Sequence, residues 1–129
     1  MPKEFKILVA DPNPHIRQFL KRELMHSGYY VIEAANYNEI FHRITGAPPP
    51  DLIIFDLDLP YISGLDALKR LHNLVPPIPT IIYSDLTEYE GHPDIQKTEA
   101  FIEKNDDPSV LFNTVTDVIR KHYHRRMTL

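Results

Sequence analysis

The sequence predicts an α/β fold: a doubly wound parallel sheet of five strands flanked by five helices. Three observations predict it. Short apolar runs alternate along the chain with segments whose apolar residues recur at helical spacing, which is the pattern of a parallel sheet with helices on both faces. Runs such as Leu52-Ile-Ile-Phe55 are apolar at every position, as strands buried on both faces are. Proline is abundant, 12 of 129 residues against ~5% on average, yet it clusters as Pro48-Pro49-Pro50 and as Pro76-Pro77 with Pro79. Those clusters fall between periodic segments and read as punctuation, not as a disordered tract.

The elements follow in order. Phe5 to Ala10 is a first strand. Asn13 caps a helix with Pro14 at its first position, and Ile16, Phe19, Leu20 and Leu24 form the apolar stripe until Gly28 ends it. Tyr30 to Ala34 is a second strand. Asn36 and Glu39 have capping-box spacing, with Asn in place of Ser or Thr, ahead of Tyr37, Ile40, Phe41 and Ile44. Gly46 and three prolines close that helix, and a strand runs from Asp51 to Asp56. Leu65, Leu68 and Leu71 mark a third helix, and Thr80 to Ser84 a fourth strand. Residues 85–98 carry a poor stripe of Leu86, Tyr89 and Ile95, interrupted by Gly91-His92-Pro93, so the fourth helix is short or displaced. Ala100 to Glu103 is a fifth strand, and Asp107-Pro108 opens a last helix along Val110, Leu111, Val115, Val118 and Ile119.

Length and composition bound the function. A chain of 129 residues is one domain with room for a full core. The net charge of −4 gives no global pull toward nucleic acid or an anionic membrane. The absence of cysteine excludes disulfides, thiolate zinc sites and cysteine nucleophiles. No apolar run reaches the ~18 residues of a membrane span, and the first residues lack a signal-peptide core. The cytoplasm is the expected compartment. The basic run Lys121 to Arg126 suits the carboxyl end of a helix better than a nucleic-acid patch. His122 and His124 are two apart, on different helix faces, so they make no metal pair.

The strand ends carry the chemistry. Asp11 follows the first strand, Asp56 ends the third, Ser84 the fourth, and Lys104 follows the fifth. Ligands of open α/β sheets bind beyond the carboxyl ends of the strands. A carboxylate there is costly to bury unless it faces a crevice, a metal or a cation. Two carboxylates held close repel unless a cation lies between them, and magnesium, with its hard oxygen ligands and retained waters, suits that place. A carboxylate is also a nucleophile toward phosphorus. Metal and lysine would neutralise the transferring phosphoryl, and a serine hydroxyl nearby can bond its oxygens. Taken singly, each residue has a plainer reading: a turn, a strand-end hydroxyl, a solvated lysine.

The chain resembles the receiver domain of two-component response regulators, of the CheY-like, flavodoxin-like kind, over essentially its whole length. The matching stretches are Lys6-Ile-Leu-Val-Ala-Asp11-Pro-Asn-Pro14, Pro50-Asp-Leu-Ile-Ile-Phe-Asp56-Leu-Asp-Leu-Pro60 with Gly64 eight residues after Asp56, Ile82-Tyr-Ser84 and Phe101-Ile-Glu-Lys104. The resemblance implies strand order 2-1-3-4-5 and a single receiver over 1–129 without an effector domain. It implies that Asp56 accepts a phosphoryl group from a sensor histidine kinase or phosphotransfer protein. Ser84 would be the switch hydroxyl, Lys104 the phosphoryl partner, and Phe101 the aromatic that changes rotamer with Ser84. The magnesium ligands would be Asp11, Asp56 and the backbone carbonyl of Asp58. The output would be a protein contact through the face of the fourth helix, fifth strand and fifth helix, where dimerisation would also occur, with no nucleic acid or membrane partner. Beyond its own phosphorylation and dephosphorylation, no enzyme activity is expected.

The departures from the pattern are informative. Receivers usually carry two adjacent acids after the first strand, and Pro12 occupies the second place. Weakened magnesium binding is the expectation, partly offset by the Asp58 carboxylate. Asp85 stands where receivers tend to have a small residue, so phosphoryl and water access would be slower. Asn105 replaces the usual proline after the lysine, so a cis peptide is not expected there. Two other readings compete. Pro12 and the irregular 85–98 segment fit a pseudo-receiver that binds partners without phosphate. Asp56-Leu-Asp58 fits the first motif of haloacid-dehalogenase-like phosphatases, although Leu59-Pro60 replaces the Thr or Val that commonly follows. A Rossmann-type nucleotide site fails, because Asp11-Pro-Asn-Pro14 has no glycine for close phosphate approach.

Overall fold

The computed structural model describes residues 5–46, 48–60 and 63–127. Five strands, β1 (Lys6–Ala10), β2 (Tyr30–Ala34), β3 (Leu52–Phe55), β4 (Thr80–Ser84) and β5 (Ala100–Glu103), alternate with five helices. The helices are α1 (Pro14–His26), α2 (Tyr37–Ile44), α3 (Gly64–His72), α4 (Pro93–Gln96) and α5 (Pro108–Met127). All strands pair in parallel, as the alternation predicted, in the order β2-β1-β3-β4-β5 that the resemblance implied.

Period-2 alternation divides the central strands between two cores. Ile7 and Val9 of β1, Leu52 and Ile54 of β3, and Ile81 and Tyr83 of β4 pack with Leu20, Leu24, Leu111 and Val115 from α1 and α5. Leu8, Ile53, Phe55 and Ile82 face the other way, onto Ile40, Leu68, Leu71 and Ile95 from α2, α3 and α4. Every residue of β3 is buried, which is why that strand carries no polar alternation. Each such large apolar side chain contributes roughly 1.5–3 kcal/mol on burial.

Local signals set the ends. Asn13 Oδ1 accepts from the His15 amide at 2.9 Å, with Pro14 opening α1, and Gly28 takes a positive φ of 95° past its end. Asn36 Oδ1 accepts from the Glu39 amide at 2.9 Å. Glu39 Oε1 reaches back to the Ala35 amide at 2.7 Å, one residue beyond the capping-box position. Segment 85–98 folds as expected of its broken stripe: a 3-10 turn over Thr87–Tyr89, then the four-residue α4. Three strand ends are tighter than the sequence implied, because Phe5 lies just before β1, Asp51 just before β3 and Asp56 just after it. The Asp56 amide still donates to the Ala10 carbonyl at 2.9 Å, so it remains on the sheet's edge. Among the described residues the only cis peptide is Val75–Pro76, and Lys104–Asn105 is trans. No described helix is long and apolar enough to cross a membrane.

The basic run lies in α5, which bends at Tyr123. Its side chains meet carboxylates of the same molecule: Lys121 and His122 each reach Glu99 at 3.1 Å, and Arg126 reaches Asp51 at 2.8 Å. His124 is exposed on another face, as the two-residue spacing required.

Candidate functional site

Neighbouring β1 and β3 bring their following residues together, since Ala10 pairs with Phe55 and the next positions are Asp11 and Asp56. Both carboxylates are nearly sealed from solvent, with side chains 3% and 4% exposed. Lys104 leaves the end of β5, where its amide donates to the Ser84 carbonyl at 3.2 Å. Its stem crosses the sheet edge so that Nζ sits 2.6 Å from Asp56 Oδ2 and 2.7 Å from Asp11 Oδ2. The second oxygens are held by backbone: Asn13 N donates to Asp11 Oδ1 at 2.8 Å, and Asp58 N to Asp56 Oδ1 at 3.1 Å.

One ammonium shared by two carboxylates explains the electrostatics. Burial raises the Asp11 carboxyl above its ordinary range, and the Lys104 hydrogen bond, the Asn13 amide and the Lys104 charge recover only part of it, while Asp56 repels. Burial opposes the Lys104 ammonium, but hydrogen bonds and charge from both aspartates prevail and hold it above its ordinary value. The lysine gains from two partners, whereas Asp11 has half a lysine and a like-charged neighbour. With both carboxylates ionised the trio carries one net negative charge, and that residual charge calls for a further cation.

Other predicted residues divide. Ser84 is fully buried at the adjoining strand end, with its Oγ accepting from the Leu86 amide at 3.1 Å. The Asp58 backbone faces Asp56 while its side chain is exposed. Asp85 is exposed at the rim. Phe101 is half-buried, opposite Ile82 in the β4–β5 register, and packs against the α2–α3–α4 core. Gly64 is buried where α3 begins, and a Cβ there would collide with the Leu57 backbone just after Asp56. Sequence reasoning passed over Arg17, whose Nη1 donates to the Asp11 carbonyl at 2.6 Å. Its position on the first turn of the helix after Asp11 was the available signal.

Hard oxygen donors and a residual negative charge fit magnesium in kind. The Asp11 and Asp56 carboxylates and the Asp58 carbonyl would hold it. Among the described residues no three His, Cys, Asp or Glu side chains are gathered closely enough to hold a metal. The carboxylates that Lys104 gathers at this edge are Asp11 and Asp56, and Pro12 in the second acidic place adds none.

The sequence profile of the response regulator receiver domain matches residues 7–116. The chain belongs to this family. Among its relatives is the protein-glutamate methylesterase/protein-glutamine glutaminase of Trichodesmium erythraeum, 34% identical over 89 residues, which span 68% of this chain and 25% of that protein. The transcriptional activator protein ExaE of Pseudomonas putida is 32% identical over 122 residues, 90% of this chain and 56% of that one. This receiver thus spans only part of the curated relatives it matches. A receiver domain protein of Methanospirillum hungatei superposes with a TM-score of 0.83 at 25% identity, covering 91% of this chain and 94% of that one. The response regulator TrrA of Thermotoga maritima, solved in complex with Mg(2+)-BeF, gives 0.80 at 26% identity, covering 88% and 97%. The receiver is a signalling module of two-component systems, and the haloacid-dehalogenase-like reading has no support among these relatives.

Proposed function

We propose that Asp56 is the phosphoacceptor of this receiver and that a sensor histidine kinase or phosphotransfer protein is the donor. The observation that carries the reading is the shared lysine: Lys104 Nζ contacts both Asp56 and Asp11 within 2.7 Å at the sheet's carboxyl edge. In the reaction Asp56 Oδ attacks phosphorus and the donor's nitrogen leaves, taking a proton, so the phosphoryl moves without net redox change. Lys104 transfers its contact from the carboxylate to a phosphoryl oxygen, and the Ser84 hydroxyl donates its proton in a hydrogen bond to another. Phe101, opposite Ile82, would follow Ser84 inward. Magnesium, when bound, supplies positive charge on the phosphoryl oxygens. The output would be protein contact through the α4–β5–α5 face, with dimerisation on the same face, in the cytoplasm and without further enzyme activity.

Pro12 favours a weak metal site, and the exposed Asp58 carboxylate would compensate in part for the missing second acid. Magnesium titration of the wild type and Asp58→Ala tests this; equal affinities overturn the compensation. The phosphoacceptor reading is tested with magnesium and acetyl phosphate or beryllofluoride, followed by amide shifts and intact mass. A response centred on Asp56 and absent from Asp56→Asn is expected. Pro12 also favours a second reading, a pseudo-receiver that binds partners without phosphate, and silence at high magnesium would select it. Hydrolysis of small phosphate esters would overturn both.

A further inference from the structure

The turn between β1 and α1 reads Asp11-Pro12-Asn13-Pro14, and its two prolines supply no N–H. The Asn13 amide bonds Asp11 Oδ1 at 2.8 Å, and the His15 amide bonds Asn13 Oδ1 at 2.9 Å. Because Pro12 has no donor, the Asp11–Pro12 peptide plane has only one hydrogen-bonding handle, the Asp11 carbonyl. Arg17 holds it, donating from Nη1 at 2.6 Å. The same guanidinium donates from Nε to Glu33 Oε1 at 3.2 Å, and Lys21 Nζ lies 3.6 Å from Glu33 Oε2. Arg17 is 17% exposed. A planar fork engaged at two edges fixes direction as well as charge, which a flexible ammonium does not.

We propose that Arg17, braced by Glu33 on β2, is a positioning residue: it locks the Asp11–Pro12 peptide and thereby aims the Asp11 carboxylate at Lys104 and the metal cup. The need is particular to this chain. With Pro12 in the second acidic place, Asp11 is the only carboxylate that β1 delivers to the site, so an error in its direction is not shared with a neighbour. Groups behind a ligand that fix its direction typically change metal affinity by about 10–100-fold when removed. The inference rests on the reading of Asp56 and Asp11 as the phosphoryl and metal site, but its primary readouts do not require phosphorylation.

The experiment compares wild type, Arg17→Met, Arg17→Lys and Glu33→Gln by hydrogen exchange of the Asn13 amide, magnesium titration and acetyl phosphate labelling. Arg17→Met is expected to lose Asn13 protection, to bind magnesium about tenfold more weakly, and to label at wild-type rate once magnesium saturates. Arg17→Lys should recover little, having no fork, and Glu33→Gln should fall between. If Arg17→Met lowers Tm while Asn13 protection and magnesium affinity stay at wild-type values, Arg17 is merely structural and the inference is overturned. A wild type that takes no phosphate, with Arg17→Met still showing these shifts in exchange and magnesium affinity, would sink the phosphoacceptor reading and leave the clamp standing.

Discussion

Asp51 and Asp56 flank the same four-residue strand, β3, and the protein gives them opposite surroundings. Asp51, before the strand, has an excess of donors. The Lys6 amide donates to its Oδ2 at 2.8 Å, Arg126 reaches Oδ1 at 2.8 Å and Oδ2 at 3.4 Å, and the Tyr123 hydroxyl donates to its carbonyl at 2.7 Å. Arg126 also stacks over Phe5 at 4.3 Å and Tyr123 at 5.1 Å. Asp56, after the strand, has one backbone amide and a lysine it must share with Asp11. A carboxylate with donors to spare is a structural tie. One with too few, set beside a second acid, is left needing a cation, as the phosphoacceptor proposed for Asp56 would be.

The same substitution at each end should separate the two carboxylates most clearly. Asp56→Asn should abolish labelling by acetyl phosphate, read by intact mass, with little loss of Tm, because it removes a repulsion along with a contact. Asp51→Asn should keep labelling and lose about 1–2 kcal/mol, allowing for the partly exposed Arg126. Labelling that survives Asp56→Asn, or a stable Asp51→Asn, would erase the distinction. Gly64→Ala tests the Asp56 end from behind: its Cβ would displace the Leu57 backbone. A cost of roughly 1–3 kcal/mol is expected in urea unfolding, together with slower labelling.

A pH measurement sharpens the structural end. The Tyr123 phenol is pushed up to about 12, by burial first and then by the Asp51 charge, against the pull of Arg126. The fold prefers the neutral phenol, so its contribution is complete below the unfolded value of ~10. It disappears as pH rises toward about 12. Stability should therefore fall across that window in the wild type, and the slope should flatten in Tyr123→Phe; an unchanged slope would show that the fold does not hold the phenol above its ordinary value. The smallest effect is expected from Asp11→Asn at neutral pH. Its carboxyl is held above the ordinary range, mainly by burial, so ionisation costs the fold a little and the amide should raise Tm slightly.

Much of the candidate site was legible in the sequence, because its residues stand at or just past strand ends and strands announce themselves through local apolar runs. Asp11, Asp56, Ser84 and Lys104 needed only the alternation of elements to be placed on one edge. Asn13 and Asn36 could be read as caps, since capping partners lie within three residues. The structural end was not legible. Arg126 and Asp51 are separated by 75 positions, and the basic run around Arg126 reads equally well as a solvated helix end. Arg17 was missed for a related reason: its partner is a backbone carbonyl, which every residue has and no motif marks.

The sequence alone determined the five-fold alternation, the strand ends and the missing second acid at Pro12, because periodicity, caps and turn residues act within a few positions of themselves. The tertiary structure decided how the charges are shared. Lys104 reaching two carboxylates from the far strand, Arg17 gripping the Asp11 carbonyl and Arg126 closing on Asp51 all depend on side-chain paths across the folded sheet. Their physical cause is long-range: a buried charge takes whichever partner the packed chain brings within about 3 Å, and that choice has no local code.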